Sequence, residues 1–377
     1  MNVLQVVTYI SRDGIYGGPT SVALAQQAEL RRLGHNVTLI AAAPPAEAQE
    51  NLKPNPDGVN LFSARRLLGL KGFAYIYSPA LLIWLMKNIG HYDVIHIHFA
   101  RDLIAGPASL IARLHKKHFF LQTHGMVDAS EKKLAAVFDG LFTKPALAKA
   151  STTFALTDNE QQDLVRLCPG SSITRVKNGL PLRANFSKGS SGLVLFLARL
   201  QARKRPVAFV QMAKLLCSEF PNLRFIIAGP DEGELASTVD EIQINSLEGR
   251  VSVIGAVTRS RAAELMDEAD VYVLPSFGEI FPMTAIEAFQ SQTPTVVTES
   301  LGIAGDCSRY QAAIVTDGSP EALAQAVSDI LTQPQVREKL VDGGKKYISE
   351  ELDIRKVMQP MMLAYEHAAH LGQRNDL

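Results

Sequence analysis

The stretch from Ala269 to Val297, ADVYVLPSFGEIFPMTAIEAFQSQTPTVV, reads as strand, loop, helix and strand in that order. Ala269-Asp270-Val271-Tyr272-Val273-Leu274-Pro275 is the short apolar run expected of a strand buried on both faces. The loop after it carries Glu279, and Pro282 then opens a helix whose third turn presents Glu287. Proline suits a first helical position because its missing N–H would be unpaired there anyway. The amides of Met283 and Thr284 then lie at a helix N-terminus, where backbone donors and the helix dipole favour a phosphate. A carboxylate before that seat and another inside the helix can accept hydrogen bonds from hydroxyls on either side of a bound diphosphate. A sugar joined through a diphosphate to a nucleoside has that layout. Taken singly, Glu279 also reads as a loop charge and Glu287 as a solvated helix residue.

Outward from this stretch the same rhythm repeats, apolar runs alternating with helical patterns as in parallel sheets. Strands are expected at Val3–Thr8, Val37–Ala41, Val94–His98, Phe119–Thr123 and Thr152–Ala155 in the first half. The second half offers Leu193–Ala198, Arg224–Ala228, Val251–Ile254, Val271–Leu274 and Thr295–Val297. A chain of 377 residues is long for one compact core. The expected fold class is therefore α/β, with two doubly wound domains at 1–183 and 193–358. A small, polar linker falls at 184–192, and a last helix at 359–377. Two such domains would set the carboxyl ends of their sheets, and so their ligand sites, across a shared cleft.

Composition sets outer bounds. Hydrophobic residues make up 47% and charged residues 20%, ordinary for a soluble globular protein. Cys168, Cys217 and Cys307 have neither paired nor metal-like spacing, so a reduced cytoplasmic setting is expected. Met1-Asn2-Val3-Leu4-Gln5-Val6-Val7 reads as a first strand, with no basic start or signal-like core. The longest apolar run, Pro79 to Met86, is far short of a membrane span. Net charge is zero but uneven: residues 1–183 hold 20 Lys/Arg against 13 Asp/Glu, and the remainder 18 against 25. Such a split suits a first half that faces something anionic.

The two glutamates, the strand before them and Ser291-Gln292-Thr293-Pro294-Thr295-Val296-Val297 after them resemble the donor site of retaining GT-B glycosyltransferases of family 4. The resemblance implies that Glu279 lies near the transferred sugar and that Glu287 holds the ribose hydroxyls. Phe196-Leu197-Ala198-Arg199-Leu200-Gln201-Ala202-Arg203-Lys204-Arg205 is similar to the family's G-R-L-x-x-x-K-G stretch, which implies that Arg199 and Lys204 grip the donor diphosphate. Ala198 and Arg205 stand where glycines are usual, and Arg205 before Pro206 clouds the helix start. Two fixed cations can offset the charge that develops on a departing diphosphate. No D-x-D pair stands ready to hold a divalent cation on a nucleotide-sugar, so no metal is expected. Ala228-Gly229-Pro230-Asp231-Glu232-Gly233 resembles the glycine-rich turn near the nucleotide, although Gly-Pro turns after strands are common. Ile254-Gly255-Ala256-Val257 matches a segment bordering the base.

In the first half, Gly14-Ile15-Tyr16-Gly17-Gly18-Pro19-Thr20 resembles the paired-glycine loop that contacts donor phosphate, and also reads as a plain strand-to-helix turn. His124, in Gln122-Thr123-His124-Gly125, matches a histidine that reaches the transferred sugar or its acceptor, where it could donate a hydrogen bond or buffer a proton. His96 and His98 share one strand face; no third ligand is spaced to join them on a metal, and His98 is the better candidate for a cleft wall. Arg65, Arg66 and Lys71, with the aromatics and leucines around them and Leu81–Lys87 nearby, would suit an anionic membrane surface or an ordinary packed helix.

The resemblance implies a metal-independent enzyme without a cofactor. It would move a hexose, with retention, from a nucleotide-sugar to a glycan or lipid-linked acceptor. The resemblance further implies a setting in cell-surface polysaccharide or glycolipid synthesis, with a cytoplasmic location expected, peripheral at the inner face of the membrane where the chain touches lipid. No nucleic-acid partner is expected. An NDP-sugar epimerase of the same fold and a catalytically silent scaffold are the alternatives.

Overall fold

The computed structural model describes residues 1–12, 17–50, 58–69, 72–127, 133–183 and 191–375. Residues 14–16 of the glycine loop, Lys71, and 184–190 of the expected linker lie outside the described residues.

The chain forms two compact units. Of the described residues, one takes the chain up to Ser11, from Gly17 to Gly179 and again from Ile354 onward; the other takes Arg12 and Leu180–Asp353. The first unit contains β1 (Asn2–Tyr9), β2 (Asn36–Ala43), β3 (Val59–Ser63), β4 (Arg65–Arg66), β5 (Ile76–Tyr77), β6 (Val94–His98), β7 (Phe119–Gln122), β8 (Thr152–Ala155) and β9 (Ile173–Arg175). Among the described residues its main sheet is seven-stranded and parallel, in the order β3-β2-β1-β6-β7-β8-β9; β4 and β5 form a short antiparallel pair. The central strands are apolar on both faces because helices cover both. Leu4, Val6, Ile95 and Ile97 pack with Leu81, Leu85, Ile104 and Ala108 in one core. Val3, Val94, Phe120 and Phe154 pack against Met358, Met361 and Tyr365, so the C-terminal helix Gln359–Asn375 closes the opposite face of this unit.

The second unit contains β10 (Leu193–Leu197), β11 (Arg224–Ala228), β12 (Val251–Gly255), β13 (Val271–Leu274), β14 (Thr295–Thr298) and β15 (Ile314–Thr316). Its described strands run parallel in the order β12-β11-β10-β13-β14-β15. Each unit is thus a doubly wound α/β sheet, as expected. Strands β3, β9 and β15 were not legible beforehand. Each sits at a sheet edge, and β9 and β15 are three residues long, so none shows the continuous apolar run of an interior strand.

Two backbone details shape the second unit. Arg205 adopts φ 55°, ψ 51°, the left-handed conformation usually reserved for glycine, and Pro206 follows at the first position of the helix Pro206–Cys217. The helix start in doubt at sequence level is therefore kept, at a cost on the order of 1 kcal/mol for a non-glycine residue. Gly229 has φ 149°, and a Cβ there would run into the Ala198 carbonyl. Among the described residues no helix is long and apolar enough to cross a membrane.

Candidate active site

In each sheet the winding reverses beside a central strand: β1 lies between β2 and β6, and β10 between β11 and β13. Loops leaving the carboxyl ends of strands at such a point splay apart and leave a crevice. Gly17 and Gly18 follow β1, Arg199 and Lys204 follow β10, and Gly229, Glu279 and Glu287 follow β11 and β13, whereas His124 follows β7, one strand beyond the first reversal.

In the second unit the loop after β10 and the loop after β13 are tied together. Lys204 is buried, and its Nζ forms an ion pair with Oε1 of Glu279. Phe277 N donates to Arg203 O at 2.8 Å, and Gly302 N to Glu279 O at 2.8 Å. Burial lowers the Lys204 pKa, while Glu279 works to keep the ammonium charged. Oε2 of Glu279 is buried and has no hydrogen-bond partner among the described residues, so among them the carboxylate retains an unused acceptor.

The helix that carries the second glutamate begins one residue later than predicted. Pro282 is its N-cap, with φ −76° and ψ 97°, and the helix spans Met283–Gln290, placing Glu287 in its second turn. The ring cannot donate to the ladder in either position, but ψ 97° is extended, so the first helical residue is Met283. The amides of Met283 and Thr284 remain first-turn donors. Thr284 is held by the buried Tyr272, whose hydroxyl lies 2.7 Å from Thr284 Oγ1 and 3.2 Å from Leu197 O. Burial pushes the Tyr272 pKa well up, and Glu279 and Glu287 both add to that rise, which places both carboxylates within electrostatic reach of one hydroxyl. Burial also raises Glu287 to about 7, with Arg259 opposing. A carboxyl at this value is close to half protonated at neutral pH, and a ligand that donates hydrogen bonds favours its ionised form.

Arg199 is not left open. Its Nη1 meets both oxygens of Glu232, at 2.8 and 2.9 Å, and the pair is about one-third exposed. Glu232 belongs to the Gly229–Gly233 turn, where sequence reasoning singled out only the glycine. Gly229 itself has a packing reason, its close approach to Ala198.

In the first unit, Gly17 and Gly18 begin the helix Gly17–Arg32, and a Cβ on Gly18 would meet nothing within 4 Å among the described residues. A shallow depression beside this helix is lined by Thr8, Tyr9, Thr20, His98 and Met126. His98 Nδ1 and His124 Nε2 are 2.8 Å apart with nearly parallel rings, and His96 also stacks on His98. His96 also bonds Tyr365 Oη of the C-terminal helix. Burial lowers His96 and His124 to about 3, and His98 well below its usual value; for His98 its two neighbours add to the effect. The expectation that His124 buffers a proton is corrected here, because a buried imidazole among imidazoles stays neutral and can only donate or accept hydrogen bonds. Buried carboxylates were also missed: Asp102 joins β1 to the helix after β6 by accepting from Thr8 Oγ1 at 2.7 Å and from the Ile104 and Ala105 amides. Among the described residues no group of three His, Cys, Asp or Glu side chains could hold a metal ion.

The family described as "Glycosyltransferase Family 4" matches residues 16–183, and "Glycosyl transferases group 1" matches 182–347. A D-inositol 3-phosphate glycosyltransferase of Catenulispora acidiphila is 26% identical over 322 residues, covering 76% of this chain and 69% of its own. An uncharacterised glycosyltransferase of Methanocaldococcus jannaschii is 23% identical and covers 98% of this chain and 100% of its own. Among solved structures, Anabaena HepE in complex with UDP superposes with a TM-score of 0.72 at 15% identity, over 97% of this chain and 100% of that one. The pneumococcal O-GlcNAc transferase GtfA gives 0.73 at 11% identity, over 98% and 99%.

Proposed function

The chain is a glycosyltransferase of GT-B fold belonging to family 4, and from that premise we propose that it moves a hexose from a nucleotide-sugar, with retention of configuration, to a glycan or lipid-linked acceptor. The observation that carries the proposal is the buried Lys204–Glu279 pair beside the helix start at Met283. Lys204, Arg199 and the amides of Met283 and Thr284 bind the diphosphate, Glu279 orients the sugar, and Glu287 accepts from the ribose hydroxyls. Gly17 and Gly18 leave room for donor phosphate, Gly229 shapes the turn beside the nucleotide, and neutral His124 hydrogen-bonds the sugar or acceptor. The bond from the anomeric carbon to the phosphate oxygen breaks, and one to the acceptor oxygen forms on the same face. The acceptor's proton passes to the leaving phosphate, whose charge the two cations offset without a metal.

UDP and UDP-glucose, with which Anabaena HepE is solved, are sensible first probes. A nucleoside diphosphate that raises the melting temperature identifies the base. Transfer from the matching sugar donor is then expected to persist in excess EDTA. Loss of activity in EDTA with recovery in Mn²⁺ would refute the metal-free chemistry, and release of free epimerised sugar in place of transfer would refute the transferase reading of this site.

The raised pKa of Glu287 predicts a pH dependence. Ribose hydroxyls donate to an ionised carboxylate, so below about 7 binding must first expel a proton. Nucleoside diphosphate affinity should fall as pH drops from 7 toward 5, by at most about tenfold per unit. The phosphate's own titration contributes in the same range, so the comparison is with Glu287→Gln, which should show a flatter profile. Identical profiles would remove Glu287 from the ribose.

We also propose that the first unit meets its acceptor at an anionic membrane surface, in cell-surface polysaccharide or glycolipid synthesis. Arg65, Arg66 and Lys87 are exposed, as are Leu67, Ile83, Met86 and Leu68, the last 89% accessible. Basic groups near such a surface contribute about 1 kcal/mol each. Co-sedimentation with anionic but not neutral vesicles is expected, weakened by salt and by Arg65→Glu with Arg66→Glu; equal partitioning onto both would end the membrane idea.

A further inference from the structure

Glu160 has no part in the chemistry above, yet its carboxylate is 3% exposed and surrounded by donors. Oε1 accepts from Thr123 Oγ1 and from Gly125 N, each at 2.5 Å, and Oε2 accepts from Leu156 N at 2.7 Å. The side chain is delivered by a helix cap. Thr157 caps the helix Asp158–Leu167, its hydroxyl accepting from Glu160 N at 3.2 Å, and Glu160 sits at the third helical position. A glutamate there ordinarily turns back to the amide of the cap itself. This one reaches Leu156, one residue earlier, and continues across to the loop leaving β7. One oxygen therefore grips the residues on both sides of His124. His124 has φ 51° and Gly125 φ 71°, so the histidine is held in a conformation that side-chain-bearing residues rarely adopt, with its ring against His98.

We infer that Glu160 is a positioning residue for transfer: its carboxylate locks Thr123-His124-Gly125 in the left-handed turn that presents the His124 imidazole, paired with His98, to the sugar or acceptor. This rests on the role given to His124 above. The partners are neutral and the group is deep, so the carboxylate does not touch substrate; it acts through His124. The same contacts would also exist if Glu160 merely stabilised the first unit, and the experiment must separate the two.

A double-mutant cycle does so. Glu160→Gln keeps the volume but turns an amide toward one of three donors. It is expected to lower the turnover number about tenfold or more, the scale of a small misplacement of a contacting group. Nucleoside diphosphate affinity, measured by calorimetry, should stay unchanged because neither Glu160 nor His124 is assigned to the diphosphate or the ribose. In a His124→Ala background the same substitution should change turnover by less than about twofold, the non-additivity expected when one residue works through another. Equal losses in both backgrounds would show a structural role and overturn the inference, as would full turnover in Glu160→Gln. If Glu160→Gln does not fold, Thr123→Val removes one donor and carries the same cycle with a smaller loss. Full turnover in His124→Ala would overturn both the inference and the His124 role. The donor-site reading would stand or fall separately, on nucleotide binding by the unsubstituted protein.

Discussion

Replacing Lys204 with alanine is expected to lower turnover at least about a hundredfold, the scale of losing one preorganised group that stabilises a developing charge. Lys204 is buried, burial lowers its pKa, and an anionic partner, Glu279 in this structure, opposes that fall. A donor diphosphate supplies such a partner at the moment the sugar leaves, in a water-poor setting where the interaction is strong. From an open cleft a lysine could be removed with folding untouched. The burial says otherwise: alanine strands the Glu279 carboxylate, and breaking a buried pair costs on the order of 3–5 kcal/mol. Stability and turnover should therefore be measured together, and Lys204→Gln, which keeps most of the bulk and a donor, should lose turnover with less loss of melting temperature. Arg199→Ala is expected to lower turnover by a similar factor of about a hundred, with little effect on stability because Arg199 and Glu232 are part-exposed. Wild-type turnover in either variant at saturating donor would refute that residue's role.

The sequence carried these elements unevenly, for physical reasons. Interior strands such as Val271–Leu274 announce themselves because burial on both faces demands an unbroken apolar run. The resemblance of 196–205 and of the Glu279 loop assigned Lys204 and Glu279 to one site, and the two follow neighbouring strands, β10 and β13, at the reversal of winding. What it lacked was pairing. Glu232 is an ordinary acid in a turn until the geometry sets it on Arg199, and Tyr272 is an ordinary core aromatic until its hydroxyl reaches Thr284. Glu160 gave a local signal, a Thr-x-x-Glu cap beginning at Thr157, but nothing in that pattern says the carboxylate will overshoot its own helix to grip the His124 turn. Side-chain partners far apart in sequence are decided by the packed sheet, and a propensity reading has no access to them.

The two glutamates should fail in different ways. Glu279 already spends one oxygen on Lys204 and keeps the other buried without a partner among the described residues, as an acceptor awaiting a sugar hydroxyl would be. A free nucleoside diphosphate has no such sugar. Glu279→Ala should therefore bind it within about threefold of wild type, under 1 kcal/mol, while transfer falls below detection or by at least about a hundredfold. Glu287 addresses the ribose, which every nucleoside diphosphate carries. Hydrogen bonds to a charged carboxylate contribute about 1.5–3 kcal/mol, so Glu287→Ala should weaken nucleoside diphosphate binding by roughly tenfold or more. Its turnover at saturating donor should suffer less than that of Glu279→Ala, because the ribose contact is already made in the ground state and lowers the barrier only by holding the donor in place. Calorimetry and steady-state rates on the same two preparations decide the assignment. Unchanged affinity in Glu287→Ala would exclude the ribose contact, and lost nucleotide binding in Glu279→Ala, with the fold intact, would mean that this carboxylate works by keeping Lys204 charged for the diphosphate and not by orienting the sugar.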